Sequence, residues 1–150
     1  MRAIIQRVKY ASVEITGEIH NKIEHGILLL LGIEDADENE DTSWIIRKVS
    51  NMRIFNDEEG VMNKSLLDIN GEILIISQFT LFASTKKGNR PSYIAAAKPE
   101  IAIPKYEHFL AEWEKETKIQ AKAGVFGADM KVELLNDGPV TIFMDSKNKV

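Results

Sequence analysis

At 150 residues the chain is the size of one domain with one core, burying roughly 70% of the surface its unfolded form exposes. The absence of cysteine excludes a disulfide framework, a thiolate nucleophile and any cysteine-ligated metal, and no apolar run nears the roughly 20 residues of a membrane helix. A formal net charge of -4 argues against a surface that binds polyanions throughout, so any nucleic-acid contact must be local, and a cytoplasmic location is expected.

The opening segment MRAIIQRVKYASVEI breaks its apolar positions with Gln6, Arg7 and Lys9, so it lacks the continuous h-region of a signal peptide. It predicts a strand over 2–9. SVEITGEIHNKIE predicts a hairpin turning near Gly17, and GILLLLGI (26–33) a short buried strand. Acidic residues followed by Ile45, Val49 and Met52 at helical spacing predict a helix over about 38–52 that covers one sheet face.

Asn70-Gly71, between SLLDI and EILIISQF, predicts a hairpin, because type I′ turns need positive φ at both central residues. Residues 82–91 hold Gly88, Pro91 and three cations and read as a loop, with a short helix at about 92–97. Ile103, Tyr106, Leu110 and Trp113 form an i, i+3, i+7, i+10 stripe that predicts a helix over about 101–117. MKVELLNDGPVTIFMD predicts strand, turn, strand, with Asn136-Asp137-Gly138-Pro139 as the turn. The whole is expected to be a single α+β domain spanning 1–150: a curved, barrel-like, mostly antiparallel sheet with two to three helices packed outside.

Most of the usual chemistry is missing from this chain. Asp35-Ala36-Asp37-Glu38-Asn39 resembles the start of a calcium loop, but Glu40 and Ile46 stand where that motif needs glycine and glutamate. His108 and Glu112 lie one helical turn apart without the third ligand of a catalytic zinc, and His20 and His25 flank a short strand as surface residues. No metal is expected.

What remains is Ser77-Gln78-Phe79-Thr80-Leu81 at the end of an apolar strand, with no histidine, cysteine or carboxylate beside it. One reading lets the Ser77 and Thr80 hydroxyls tie off frayed backbone groups. The other uses the backbone itself, because N–H groups that lose their ladder partners at a strand end can form an oxyanion hole. Lys86, Lys87 and Arg90 follow in a loop where Gly88 allows close approach, which is either a solvated edge or a phosphate contact. The Gly138-Pro139 bond has access to a cis form that would redirect consecutive carbonyls, beside the plainer reading of a turn.

Ser77 to Ala83 and Asn136 to Thr141 match S-Q-F-T-L-x-A and N-x-G-P-x-T, and on these two motifs the chain resembles the D-aminoacyl-tRNA deacylase family. The similarity runs from MRAIIQRV to the terminal strand. It implies a cytoplasmic homodimer that hydrolyses the ester of D-aminoacyl-tRNA, and of glycyl-tRNA mischarged on tRNA(Ala), as translation quality control. Its implied partners are the aminoacylated 3′ end of tRNA and a second copy of the chain, with no cofactor, no membrane and no DNA.

The implied catalytic residues are Ser77, Gln78, Phe79 and Thr80. Backbone N–H groups near Phe79 and Thr80 act as oxyanion donors, Ser77 and Gln78 shape the pocket, and the tRNA 2′-hydroxyl assists water. A Thr80 nucleophile is the rival, without an obvious base. Gly138 and Pro139, as a Gly-cis-Pro motif from the partner subunit, hold the α-amino group and exclude L side chains. Arg7 braces the partner's loop, Phe79 and Met130 wall an adenine pocket, and Lys86, Lys87 and Arg90 meet the tRNA. The alternative is a module that binds a tRNA end without hydrolysis, its cations pairing with phosphates and Tyr93 stacking on a base.

Overall fold

In a computed structural model, which describes residues 1–149, a single long strand is the spine of the molecule. This strand, β1 (Arg2–Ile15), pairs along one edge with β3 (Gly26–Gly32) and then β2 (Glu18–Ile23), and along the other with β8 (Met130–Asp145). Thr16 and Gly17, both at positive φ, turn β1 into β2 as expected. β6 (Glu72–Ser77) then adds parallel to β3, and β7 (Ala121–Ala123) parallel to β6. Three of the five pairings are antiparallel.

The sheet curls until β7 approaches β2. There the Asn21 side-chain amide donates to the Ala123 carbonyl at 2.8 Å, and Lys122 Nζ donates to the Lys22 carbonyl at 3.1 Å. The result is a nearly closed barrel. Its interior holds Val8, Ala11, Val13, Ile23, Leu28, Leu74 and Ile76. A larger core lies outside, where Ile5, Ile27, Leu29, Ile73 and Ile75 meet α1 (Asn39–Asn51) through Ile45, Ile46 and Val49, and α2 (Pro99–Thr117) through Tyr106, Phe109 and Trp113. Each of these side chains contributes about 1.5–3 kcal/mol by leaving water. β3 and β6 thus bury both faces, one residue inward and the next outward.

Three local expectations are corrected. Asn70-Gly71 makes no hairpin: only Asn70 takes positive φ, residues 66–70 form helical turns, and the strand after them joins β3 instead. Residues 92–97 are not helical, since Ser92 is bridged to Ser84 in both directions (2.8 and 2.9 Å) and the Ala97 N–H donates to the Ile33 carbonyl at 2.9 Å. Nor does Asn136–Pro139 reverse the chain. β8 runs through it along one edge of β1, and Gln6 opposite Thr141 with Val8 opposite Asn136 leaves the intervening residues as a bulge. A minor hairpin of β4 (Phe55–Asn56) and β5 (Met62–Lys64) lies off the main sheet.

Candidate active site

The Gln78 N–H makes the last bond of the β3–β6 ladder, to the Leu31 carbonyl at 2.8 Å. Beyond it the chain tightens into a 3₁₀ turn, Phe79–Phe82, closed by Leu81 N–H on the Gln78 carbonyl (3.3 Å) and Ala83 N–H on the Thr80 carbonyl (3.0 Å). The Phe79 and Thr80 N–H groups precede the first bond of this turn, and no backbone acceptor among the described residues takes them. Two adjacent peptide donors are therefore left over where the strand ends.

Of this turn Phe79 lines a cleft of about 330 Å³, and Thr80 does not. Ser77, Gln78 and Phe79 form one side, and Phe126, Ala128 and Met130 the other. The cleft opens beyond the carboxyl ends of β3, β6 and β7, where parallel strands run out and their loops diverge. That rule is the signal by which the loop after β7 could have been found. The sequence reading named Met130 but missed Phe126, Ala128 and Asp129.

The cleft's electrostatics are sparse. Asp129 is the one titratable side chain among its lining residues, and it lies exposed in an ion pair with Lys131 at 2.8 Å. Thr80 Oγ1 is hydrogen-bonded by the Gln78 side-chain amide, a group that is no base at either end. His20, His25 and His108 do not line the cleft. His25 packs edge-on against Phe55, and burial, followed by the charge of Lys9, lowers its pKa. Among the described residues no cluster of three or more His, Cys, Asp or Glu side chains is placed to hold a metal.

The other sequence-predicted residues lie elsewhere. Gly138 and Pro139 are exposed on the β8 bulge, joined by a cis peptide bond, and do not line the cleft of their own chain. The bulge is pinned by the Asn136 side-chain amide donating to Thr141 Oγ1 at 2.9 Å. Arg7 is buried beneath it, where Nε donates to the Asp137 carbonyl (2.9 Å) and Nη1 to the Ile54 carbonyl (2.6 Å). Within its own chain it braces the loop that carries Gly138. A Cβ at Gly138, whose φ is +127°, would come within 2.8 Å of Arg7 Nη2. Lys86, Lys87 and Arg90 are exposed on the arm between Ser84 and Ser92, outside the cleft, and none is in an ion pair among the described residues.

The chain resembles known proteins along nearly its whole length. Curated relatives from Bacteroides thetaiotaomicron and Flavobacterium johnsoniae, both D-aminoacyl-tRNA deacylases, are each 60% identical over 149 residues, covering 99% of both chains. A solved structure titled c-Myc DNA Unwinding Element Binding Protein superposes with a TM-score of 0.92 at 42% identity, over 97% of this chain and 98% of that one. A probable eukaryotic D-amino acid tRNA deacylase shares the fold, with a TM-score of 0.81 at 15% identity over 95% and 97% of the two chains. Barrel, cleft and relatives together define an enzyme, a hydrolase that removes an acyl group. The sequence profile of D-Tyr-tRNA(Tyr) deacylase matches residues 4–145, and the chain belongs to that family.

Proposed function

We propose that this enzyme cleaves the ester between a D-amino acid, or a glycine mischarged on tRNA(Ala), and the terminal adenosine of tRNA, with peptide groups as its main catalytic tools. The observation that carries this reading is the pair of unclaimed N–H groups at Phe79 and Thr80, beside a cleft that offers no histidine. Water attacks the carbonyl carbon, the carbonyl oxygen becomes an oxyanion held by the two donors, and the bond to the ribose 3′-oxygen then breaks. The proton lost by the water ends on that oxygen, relayed by the neighbouring 2′-hydroxyl of the RNA. Each oxyanion donor is worth about 10²–10³-fold in rate.

Handedness is tested by Gly138 and Pro139 of a second copy in a homodimer. Support comes from their position: they are exposed, braced from below by buried Arg7, and absent from their own chain's cleft. A rigid wall rejects an L side chain more strongly than the 1–3 kcal/mol or so per methylene that a hydrophobic fit supplies. Glycine, with no side chain, passes. Lys86, Lys87 and Arg90 take phosphates of the acceptor end, in keeping with cations that no carboxylate among the described residues engages. The reaction takes place in the cytoplasm.

The test is a deacylation assay on matched D- and L-tyrosyl-tRNA with glycyl-tRNA as a third substrate. Release from the first and third but not the second is expected, and turnover slows when the terminal ribose is 2′-deoxy. Equal rates on ribose and deoxyribose ends remove the RNA from the mechanism. Retention of every ester alongside a gel shift of the tRNA makes the protein a binding module instead.

A further inference from the structure

Beside the mouth of the cleft stands a group of apolar side chains that the chain itself leaves uncovered. Phe79 is 53% exposed, Tyr93 40% and Ile94 94%. The Phe79 and Tyr93 rings meet edge to face, with centroids 5.1 Å apart and planes inclined at 73°. Phe79 lines the cleft and Tyr93 does not, so Tyr93 is the next aromatic outward from the reacting position.

The arm that Tyr93 directly follows is clamped at its base. The paired Ser84–Ser92 hydrogen bonds (2.8 and 2.9 Å) hold its ends together, and its far end presents Lys86, Lys87 and Arg90 around Gly88, whose φ is +66°. An aromatic step beside cations that make no ion pair among the described residues has the chemistry of a single-stranded nucleic-acid site. Rings stack on bases, whose faces tolerate any sequence, while the cations follow the phosphates. A protein partner would bring acidic residues for the cations, whereas a nucleic-acid strand brings phosphates for the cations and a flat base for the exposed Tyr93 ring together.

Resting on the deacylase reading above, we infer that Phe79 and Tyr93 form a stacking subsite for the unpaired nucleotide that precedes the terminal adenosine of the tRNA. The terminal adenosine occupies the cleft, the preceding base lies on the outward face of the Tyr93 ring, and the cationic arm takes the phosphates that follow. The subsite reads no sequence. It supplies affinity for a single-stranded RNA end, which a mononucleoside ester is too short to use.

That difference in length is the test. The kcat/KM ratio of D-tyrosyl-tRNA to a D-tyrosyl-adenosine mononucleoside is measured for the wild type, Tyr93→Ala and Tyr93→Phe, with the molar mass of each followed by light scattering. Tyr93→Ala is expected to lower the ratio by about tenfold, mainly through KM for the tRNA, the effect of losing one stacked base. Tyr93→Phe keeps it within about twofold, since the ring face survives.

An equal loss on both substrates shows that Tyr93 only supports Phe79, and overturns the subsite. So does an unchanged ratio. A fall in molar mass for Tyr93→Ala shows that the aromatic step is covered by another copy of the chain, which also overturns it. Turnover of D-tyrosyl-tRNA by the wild type with an unchanged ratio defeats the subsite alone, whereas no turnover at all defeats the deacylase reading and the subsite with it.

Discussion

Thr80 and Asp129 are two side chains on which a conventional mechanism could rest. The Thr80 hydroxyl accepts from the Gln78 amide, which cannot remove its proton. Thr80→Ala is therefore expected to retain turnover of D-aminoacyl-tRNA within about fivefold, whereas deleting a true nucleophile costs on the order of 10⁶. Single-turnover kinetics on a variant with an unchanged melting temperature decide between them. Asp129 is the carboxylate of the cleft that could activate water, but it is exposed and both its oxygens are engaged by Lys131. Asp129→Asn should stay within about threefold of the wild type in kcat. A loss of 10²–10⁴-fold, the usual contribution of a general base, would move the chemistry from the RNA to the protein.

The start of α1 is tied to the end of β8 by one carboxylate. Burial opposes ionisation of Asp41, yet hydrogen bonds from Lys147, Ser146 and the Glu38 N–H prevail and hold its pKa down at about 2. Because the unfolded chain would bind that proton near about 3.9, the stabilisation is complete above pH 4 or so and drains away as the pH falls towards 2. Thermal melts from pH 6 to pH 2 should show this loss, and Asp41→Asn should flatten that part of the profile while lowering the melting temperature at pH 6. A profile identical to the wild type's would leave the link between α1 and β8 without energetic weight. At this scale the sequence was legible wherever one local signal decided the outcome. Ile45, Val49, Tyr106 and Trp113 sit on the buried stripes of two helices that their spacing predicts. Asn70-Gly71 misled because turn chemistry is local, whereas a strand's partner is chosen by burial. EILIIS is buried on both faces, the mark of a parallel neighbour, and this outweighed a dipeptide suited to a hairpin. Asn136-Asp137-Gly138-Pro139 misled in the opposite sense, since the pairing of β1 with residues on both sides of it turned a reversal signal into a bulge.

For the whole molecule the decisive feature is separation. Ser77 to Thr80 and Gly138-Pro139 were both legible as motifs, but no periodicity reports that Ser77, Gln78 and Phe79 line a cleft while the second motif projects elsewhere on the same chain. If one site needs both, two copies of the 16.9 kDa chain must share them, and lesions in the two motifs should complement each other across subunits. Consider a chain with Gly138→Ala, whose added Cβ would meet Arg7 and which should lose its rejection of L-aminoacyl-tRNA. Pair it with a chain whose cleft is blocked by Ala128→Trp and which should release nothing. In a hybrid dimer the intact cleft of the first faces the intact bulge of the second. Such hybrids, isolated by two different affinity tags, are expected to hydrolyse D-tyrosyl-tRNA at about half the wild-type rate per dimer, because one of two sites works. They should again refuse L-tyrosyl-tRNA. If bulge and cleft instead cooperated within one chain, the one open cleft would keep its defective bulge and the hybrid would hydrolyse both enantiomers, so the L-substrate rate alone separates the two arrangements.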